Sequence, residues 1–419
     1  MGTVKYFPSV ENIEKASEVL KEILDPTPFH LNADLSTKYD ADVFLKREDL
    51  QMVRSYKIRG AYNKIRSIDP ETLKYGIVCA SAGNHAQGVA FSCNKLHIMG
   101  SIYMPTTTPK QKIEQVRMFG KEYIDIVLTG DTFDAANAAA MEFARKSGKT
   151  FIPPFDDPKI MEGQGTIGHE IMNQAKDKLD YIFIPIGGGG LASGLGAYIK
   201  QISPETKIIG VEPAGAPCMK AAIDNGKVIE LENINKFVDG AAVKKAGAMT
   251  YDVCKEILDD IIIVPEGAVC TTIIQMYNKS AIVVEPAGAL ASAALRFYAD
   301  KIKGKNVACV VSGSNNDITR MEEIREKSLL YEGLKHYFIV NFPQKSGEIL
   351  SFIRDVIGPT DDLVYIQYIK KTNKNFGPAL IGIELAAKDD FSALTARMDR
   401  HGISYEYINE NNKLFEILI

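Results

Sequence analysis

The sequence predicts an α/β protein with two lobes, followed by a smaller α+β domain of the ferredoxin-like type. From Asp42 to about Arg325, short apolar runs alternate with helix-length segments, as in mostly parallel sheets covered by helices. The nine apolar runs are many for one sheet, which favours two sheets with a cleft between them. After about residue 330 the order of elements changes to βαββαβ, which is typical of a ferredoxin-like domain.

Each predicted strand of the larger unit is a short run rich in apolar and β-branched residues. In chain order the runs are DVFL, GIVCAS, GSIYMP, IDIVLTG, TFIPPF, YIFIPI, KIIGVEP, DIIIVP and NVACVVS. Segments such as AANAAAMEFARKSG and CTTIIQMYNKSAI lie between the runs and have the length of helices. The acidic pairs Asp156-Asp157 and Asp389-Asp390 are interpreted as helix caps.

A charged helix from Asp317 to Lys327 and the linker LLYEGLK lead into the second domain. Its predicted elements are the strand HYFIVNFP, the helix KSGEILSFIRDVI, the strands DLVYIQYIKK and PALIGIELAA, the helix DFSALTARMDRHG and the strand KLFEILI. The sequence therefore predicts one unit at residues 1–328, with its smaller lobe at about 46–148, and a second domain at 329–419.

Composition and charge exclude several classes of protein. The chain has 419 residues, of which 46% are hydrophobic and 24% charged, as in a globular protein rather than a disordered one. Its net charge of −4, without a long run of either sign, gives no electrostatic support for binding nucleic acid. The six cysteines are scattered, and the N-terminus lacks an apolar signal segment. We therefore expect reduced thiols, no membrane partner and a cytoplasmic location.

Four consecutive glycines, Gly187, Gly188, Gly189 and Gly190, follow the predicted strand YIFIPI and lead into a predicted helix at Leu191. Backbone N–H groups at such a helix start suit a phosphate, which can approach closely where side chains are missing. A tight turn is the alternative, but it needs only one or two glycines. The loop matches neither the GxGxxG nor the Walker pattern. The sequence therefore predicts a phosphate site here.

Lys57 lies in SYKIRGA, at the start of a predicted helix that follows DVFLKRED. The helix dipole lowers the pKa of a lysine in this position, so the neutral amine is easier to reach. A neutral amine is the form that condenses with an aldehyde. Considered alone, Lys57 has the alternative of being a solvated surface residue, as most lysines at helix starts are.

Two further polar loops follow predicted strands. Ser81, Gly83, Asn84 and His85 belong to SAGNH, which opens a helix and forms a cradle suited to a carboxylate. An ordinary helix cap is the alternative for Ser81 or Asn84 singly, and a structural role is the interpretation for His85 alone. Ser312 begins the SGSN turn after NVACVV. Because ligands gather at the carboxyl ends of strands in open α/β sheets, these loops predict one shared ligand between the lobes.

In this order, SYKIRGA, SAGNHAQG, the tetraglycine loop and SGSN resemble the motifs of the fold type II pyridoxal-phosphate enzymes, which have the tryptophan synthase β-like fold. Among them, the motifs are most similar to those of the threonine dehydratases, also called threonine ammonia-lyases. The segment FPQKSGEILSF resembles the start of the single C-terminal ACT-like domain found in biosynthetic members of that family. The resemblance covers nearly the whole chain.

The resemblance implies pyridoxal 5′-phosphate as the cofactor and assigns a role to each motif. Lys57 would hold the cofactor covalently, and the backbone amides from Gly187 to Leu191 would bind its phosphate. Asn84 would hydrogen-bond the phenolic oxygen of the ring, and Ser312 would face the pyridine nitrogen. The substrate carboxylate would be surrounded by Ser81, Gly83, Asn84 and His85.

The resemblance also implies a reaction. The neutral hydroxyl of Ser312 does not hold a proton on the pyridine nitrogen as a carboxylate would, so β-elimination is favoured over transamination. Lys57 would remove the α-proton of L-threonine, and loss of water and ammonia would give 2-oxobutanoate, the first step of isoleucine biosynthesis. A serine dehydratase or racemase is one alternative, and a catalytically silent amino-acid sensor is another.

Regulation and assembly are further implications of the resemblance. Isoleucine is expected to inhibit through the ACT-like domain, with valine as a second candidate effector and a homotetramer as the assembly. A purely structural dimerisation module is the alternative, and Lys345-Ser346-Gly347 is the candidate ligand contact. Some relatives bind a cation through a glutamate and an aspartate. Here Glu212 matches the first but Cys218 stands in the second place, so no metal is assigned and a monovalent ion stays open.

Overall fold

The structure is a computed structural model that describes residues 6–370 and 375–418. The chain divides into two compact units, Met1–Asp317 and Ile318–Ile419. All six cysteines are buried free thiols. Within the described residues, no helix combines the length and the apolar composition needed to cross a lipid bilayer.

The strands of the first unit form two sheets. In chain order the strands are β1 (Phe29–Leu31), β2 (Asp42–Arg47), β3 (Ile77–Ala80), β4 (Gly100–Met104), β5 (Ile124–Leu128), β6 (Thr150–Phe151), β7 (Tyr181–Pro185), β8 (Lys207–Pro213), β9 (Asp260–Val264) and β10 (Asn306–Val311). The larger sheet has the order β1-β2-β10-β7-β8-β9, and the smaller has the order β5-β4-β3-β6. Every neighbouring pair is parallel except β1 and β2.

The nine strands predicted for this unit are confirmed, as is their division between two sheets. The additional strand β1 has three residues and pairs antiparallel at the edge of the larger sheet. Central strands such as β10 are buried almost throughout, because helices cover both faces. This double burial is the physical reason for their continuous apolar sequence.

Helices surround both sheets. They are α1 (Val10–Leu20), α2 (Ala33–Tyr39), α3 (Lys57–Arg66), α4 (Pro70–Leu73), α5 (Asn84–Leu96), α6 (Lys110–Gly120), α7 (Phe133–Ser147), α8 (Pro158–Gln174), α9 (Gly190–Ile202), α10 (Cys218–Asp224), α11 (Ala248–Ile257), α12 (Glu266–Ser280), α13 (Pro286–Ala294) and α14 (Ala299–Ile302). The helix α7 shows how local sequence sets the ends: the Thr132 side chain accepts from the N–H of Ala135, and Gly148 ends the helix in the left-handed region.

The second unit begins with α15 (Met321–Glu332) and has a four-stranded antiparallel sheet. Its further elements are β11 (Lys335–Pro343), α16 (Glu348–Asp355), β12 (Asp362–Tyr368), β13 (Phe376–Glu384), α17 (Asp390–Arg400), β14 (Ser404–Tyr407) and α18 (Asn412–Leu418). The sheet order β12-β13-β11-β14 is the ferredoxin-like arrangement that the sequence predicts.

Three sequence interpretations in this unit are wrong. The last strand is β14, and residues 413–418 of the predicted strand KLFEILI belong to the helix α18, in which Leu414 and Phe415 pack against a buried cluster. The final residue of that prediction lies outside the described residues. The linker LLYEGLK is not a linker, because α15 continues to Glu332 and β11 begins at Lys335. Asp389 precedes α17, but its side chain makes no capping hydrogen bond.

Candidate active site

The polar loops of the first unit gather at the carboxyl ends of neighbouring strands. Strands β2, β10 and β7 are adjacent and parallel, and the segments after them carry Lys57, the SGSN turn and the tetraglycine loop. In the smaller sheet, β3 and β6 are also adjacent and parallel. They lead into SAGNH and into residues 153–157 (PPFDD), which we call the connector. The topology therefore supplies each predicted loop from a strand end.

Lys57 is the first residue of α3, and its amine faces the connector. Its Nζ donates a hydrogen bond to the carbonyl oxygen of Pro154, 2.9 Å away. Burial of the amine lowers the pKa of Lys57 to about 8, although the negative charge of Glu285 acts in the opposite direction. The lowered pKa agrees with the sequence prediction, but desolvation rather than the helix dipole is the main cause. A neutral amine is therefore accessible near physiological pH.

The tetraglycine loop leaves no room for side chains. Gly189 has φ +96°, in the region that favours glycine, and a Cβ built on Gly188 would lie 2.3 Å from the ring of Phe155. Helix α9 begins at Gly190 and has no side-chain cap, so its first N–H groups are available to an anion. The hydroxyl of Thr250 donates to the carbonyl of Gly188 at 2.6 Å and fixes the loop from behind.

The connector contacts both Lys57 and the tetraglycine loop. While Pro154 accepts the hydrogen bond from Lys57, the next residue, Phe155, packs its ring against the glycines. Asp156 accepts backbone hydrogen bonds of 2.9–3.2 Å from the first three residues of α11. Asp157 caps α8 in the same way, so the helix-cap interpretation of this acidic pair is confirmed. The predicted lysine and phosphate loop thus lie on either side of two connector residues.

The SAGNH loop opens α5 without a side-chain cap. The Oγ of Ser81 accepts the N–H of Gly83 at 3.2 Å, and a Cβ built on Gly83 would meet nothing within 4 Å. The loop therefore borders open space next to an available helix N-terminus, which suits a carboxylate. His85 is buried, and its ring nitrogen lies 3.0 Å from the carbonyl of Ile152. Burial lowers the pKa of His85 to about 3, so its ring is neutral.

The SGSN turn runs beside the segment that carries Lys57. The N–H of Tyr56 donates to the carbonyl of Ser312 at 3.2 Å, and Ser312 itself is buried. At the other end of the turn, the Nδ2 of Asn315 donates to the Oδ1 of Asn84 at 2.5 Å. The structure therefore brings together Lys57, Ser312 and Asn84, which come from three separate loops.

Sequence reasoning missed Glu285, which directly precedes α13. The residue is 4% exposed, and its Oε1 accepts a hydrogen bond from the Nδ2 of Asn84 at 2.7 Å. Burial, together with the negative charge of Asp239, raises the pKa of Glu285 to about 7. A signal was present, because Glu285 is the single charged residue between Lys279 and Arg296. A lone charge in an apolar stretch requires a partner in the interior.

Glu212 acts as a helix cap rather than an open ligand. Its carboxylate oxygens each accept one backbone N–H at 2.8 Å, from Met219 and from Lys220 at the start of α10. The thiol of Cys218 donates to the carbonyl of Gly187 at 3.4 Å. Among the residues that the structure describes, no group of three or more His, Cys, Asp and Glu side chains could hold a metal ion.

Comparison with known families matches both units. Residues 20–313 match the family described as pyridoxal-phosphate dependent enzyme, and residues 326–418 match the C-terminal regulatory domain of threonine dehydratase. The biosynthetic L-threonine dehydratase of Halalkalibacterium halodurans is 58% identical over 98% of this chain and 99% of that protein. The chain belongs to the threonine dehydratase family.

Solved structures of the family and of its neighbours share the fold. The processed form of threonine deaminase isoform 2 from Solanum lycopersicum superposes with a TM-score of 0.72 at 39% identity, over 78% of this chain and 96% of that one. Maize serine racemase gives a TM-score of 0.71 at 28% identity, over 78% of this chain and 99% of that one. The predicted two-lobed pyridoxal-phosphate fold is confirmed.

The threonine dehydratase family depends on pyridoxal phosphate, and the residues of this chain fit that cofactor. An aldehyde needs a lysine with a lowered pKa, which Lys57 provides. A phosphate needs an uncapped helix start without side chains, which Gly187–Gly190 and α9 provide. The loops that hold Asn84 and Ser312 lie beside Lys57.

Proposed function

We propose that the chain deaminates L-threonine by β-elimination of water, which yields 2-oxobutanoate and ammonia in the first step of isoleucine biosynthesis. The observation that carries the proposal is the position of Lys57. Its amine has a lowered pKa and donates to Pro154, and the next residue, Phe155, packs against the tetraglycine loop. Full-length similarity to biosynthetic L-threonine dehydratases supports the choice of substrate.

The residues divide the chemistry between them. When bound, pyridoxal phosphate supplies an electron sink for negative charge at the substrate α-carbon. Lys57 would hold the cofactor, and its amine, once free and neutral, would remove the α-proton. The N–H groups of Gly187–Leu191 would bind the phosphate, and Ser81, Gly83, Asn84 and His85 would surround the substrate carboxylate. Ser312 carries no charge and would face the ring nitrogen, which would favour elimination.

The decisive assay follows 2-oxobutanoate and ammonia released from L-threonine. We expect turnover by the unmodified chain and a loss of at least about a thousandfold in Lys57→Ala, because both the attachment point and the base are removed. Lys74→Ala is the matched control, since Lys74 is exposed and forms a surface ion pair with Glu71. Full turnover by Lys57→Ala would overturn the assignment.

An assay with L-serine separates this proposal from the alternative of a serine dehydratase or racemase. The fold that the chain shares with maize serine racemase is the reason to test this alternative. We expect L-threonine to give the higher kcat/KM and no D-amino acid to accumulate. A preference for L-serine, or accumulation of D-serine, would favour the serine dehydratase or racemase. Absence of turnover with both amino acids, together with amino-acid binding, would favour the silent sensor.

We propose that the second unit regulates the first by binding isoleucine, with valine as a competing effector. Its support is the match of residues 326–418 to the regulatory domain of threonine dehydratase. Lys345-Ser346-Gly347 remains the candidate contact, at the turn before α16 where Gly347 has φ +91°. A homotetramer and a cytoplasmic location complete the proposal, with gel filtration and cell fractionation as their tests.

A further inference from the structure

Glu285 occupies a pocket that two glycines create. A Cβ on Gly313 would lie 2.5 Å from its Oε1, and a Cβ on Gly240 would lie 3.2 Å from the same atom. Any side chain at Gly313 would therefore displace the carboxylate. The backbone of Glu285 is also fixed, because its N–H donates to the carbonyl of Gly313 at 3.2 Å. The carboxylate is thus held rigidly against the SGSN turn.

Hydrogen bonds connect Val53 to Glu285 through the side chains of Asn315 and Asn84. The Nδ2 of Asn315 donates to the carbonyl oxygen of Val53 at 3.0 Å and to the Oδ1 of Asn84 at 2.5 Å. The Nδ2 of Asn84 then donates to the Oε1 of Glu285 at 2.7 Å. We call Asn84, Glu285 and Asn315 the asparagine relay.

Both ends of the asparagine relay are acceptors, which fixes the orientation of the amides. The carbonyl of Val53 accepts only, so Asn315 must turn its NH₂ group toward it. An ionised Glu285 also accepts only, so Asn84 must turn its NH₂ group toward the carboxylate. If Asn84 were reversed, its NH₂ would face the NH₂ of Asn315 and its oxygen would face a carboxylate. One N–H of Asn84 is committed to Glu285, and one remains for a ligand.

Resting on the proposed function, we propose that Glu285 and Asn315 are positioning residues that orient Asn84, so that its remaining N–H is aimed at the phenolic oxygen of pyridoxal phosphate. Glu285 provides the acceptor that holds one hydrogen of the amide, and Asn315 provides the donor that holds its oxygen. The direction of the Asn84 amide is then preset before the cofactor binds, which avoids ordering it during binding.

The charged groups around Glu285 set the conditions of a test. Burial and then Asp239 disfavour the ionised form, whereas the hydrogen bond from Asn84, the charge of Lys112 and the backbone N–H of Asn315 favour it. Burial dominates and raises the pKa of Glu285 to about 7. Measurements at pH 8 therefore address the form in which the carboxylate accepts from Asn84.

The test compares two cofactors on full-length chains: pyridoxal phosphate and its 3-deoxy analogue, which lacks the phenolic oxygen. The ratio of their dissociation constants at pH 8, measured for both cofactors by isothermal titration calorimetry, isolates the contact at that oxygen. Glu285→Ala and Asn315→Ala are the test variants, because each removes one hydrogen-bond partner of Asn84. Glu162→Ala is the matched control, because Glu162 is a buried carboxylate that hydrogen-bonds Tyr6 and Lys159 instead.

We expect the unmodified chain and Glu162→Ala to bind pyridoxal phosphate on the order of tenfold or more tightly than the analogue. In Glu285→Ala and in Asn315→Ala, the ratio is expected to fall several-fold toward one, because Asn84 has lost one of the two partners that fix its amide. If a residue only stabilises the fold, its substitution would weaken the binding of both cofactors equally and leave the ratio of dissociation constants unchanged.

An unchanged ratio in either folded variant would overturn the proposal. A ratio near one in the unmodified chain would overturn it as well, without recourse to any variant. Failure of the proposed function would look different. In that case the absorption of bound pyridoxal phosphate would be the same in the unmodified chain and in Lys57→Ala, and the cofactor would not be attached as proposed.

Discussion

At the scale of single residues, the chemistry depends on the protonation of one amine. Lys57 has a pKa of about 8 because its amine is buried, so the folded chain holds that proton less tightly than the unfolded chain does. In the cofactor-free chain, the contribution of this group to stability therefore rises with pH between about 8 and the pKa of lysine in the unfolded chain, about 10.4. Below about pH 8, the buried charge lowers the free energy of unfolding. Reactivity is gained at the expense of stability.

The rate of covalent reaction with pyridoxal phosphate reports this pKa directly. For the cofactor-free chain, we expect the rate to rise with pH and to be half-maximal near pH 8, because only the neutral amine attacks the aldehyde. Stopped-flow absorbance measures the rate. Nα-acetyl-lysine in solution is the reference, with a midpoint near 10.4. A chain whose midpoint coincides with that of the free amino acid would contradict a buried Lys57 amine.

At this scale, the sequence revealed the site residues that belong to recognisable loop motifs but not the residues that contact those loops. Lys57, Asn84, Ser312 and the glycines carry recognisable motifs at strand ends, so their types alone point to a ligand. Phe155 and Glu285 do not, because their roles depend on contacts with residues far away in the chain. Phe155 packs on the tetraglycine loop, and Glu285 accepts a hydrogen bond from Asn84, which is 201 residues away in the sequence. Such pairings follow from the topology and not from local pattern.

At the scale of elements, a buried ionic network joins β2, α3 and α8. Arg59, two residues after Lys57, donates to both carboxylate oxygens of Glu48 at 2.8 Å and to Glu170 at 2.6 Å. Lys46 on β2 donates to the second oxygen of Glu170 at 2.5 Å. Two positive and two negative side chains thus neutralise one another in the interior. Through Arg59, the network fixes the helix that begins with Lys57.

Removing one charge from this network is expected to lower the free energy of unfolding more than removing one charge from an exposed ion pair. Glu170→Gln leaves Lys46 and Arg59 with one carboxylate between them, and we expect the free energy of unfolding to fall by about 3 kcal/mol. Glu11→Gln is the control, since Glu11 pairs with Lys15 on the exposed surface, where a salt bridge adds little to stability. Urea unfolding of the two variants measures the difference. Equal midpoints would show that the network is stabilised by neighbouring groups instead.

Strand prediction succeeded where the sequence pattern is one-dimensional. Strands such as β3, β4 and β10 are buried almost throughout, so their apolar runs are visible without knowledge of their neighbours. The last strand was misplaced because β14 is only half-buried, whereas the following residues are more apolar. Leu414 and Phe415 in α18 pack beside Tyr337 and Ile408, and this tertiary contact determines that the segment is a helix. Local apolarity identifies burial but does not by itself distinguish a helix from a strand.

At the scale of the whole molecule, each unit has its own core. Clusters around Ile182 and Ile77 lie within the first unit, and the cluster around Phe338 lies within the second. The sequence places the boundary at residue 328, but contacts divide the chain after Asp317. Helix α15 explains the difference, because its Leu330 packs on the Tyr337 cluster of the second unit. A charged helix near a boundary does not reveal from its sequence which core it joins.

Two truncations test the boundary and the regulatory proposal together. A chain that ends at Asp317 is expected to keep threonine turnover and to lose inhibition by isoleucine, because it retains the whole first unit and none of the second. A chain that ends at Ser328 carries most of α15 without its partner strands and exposes Ile324, which is buried in the full chain. We therefore expect the longer truncation to be the more prone to aggregation. Activity assays with and without isoleucine, and light scattering, measure both effects. If the chain ending at Asp317 is still inhibited by isoleucine, the effector binds in the first unit and the second unit has another role. If that chain is inactive and aggregated while the chain ending at Ser328 is active and monodisperse, the catalytic unit requires α15.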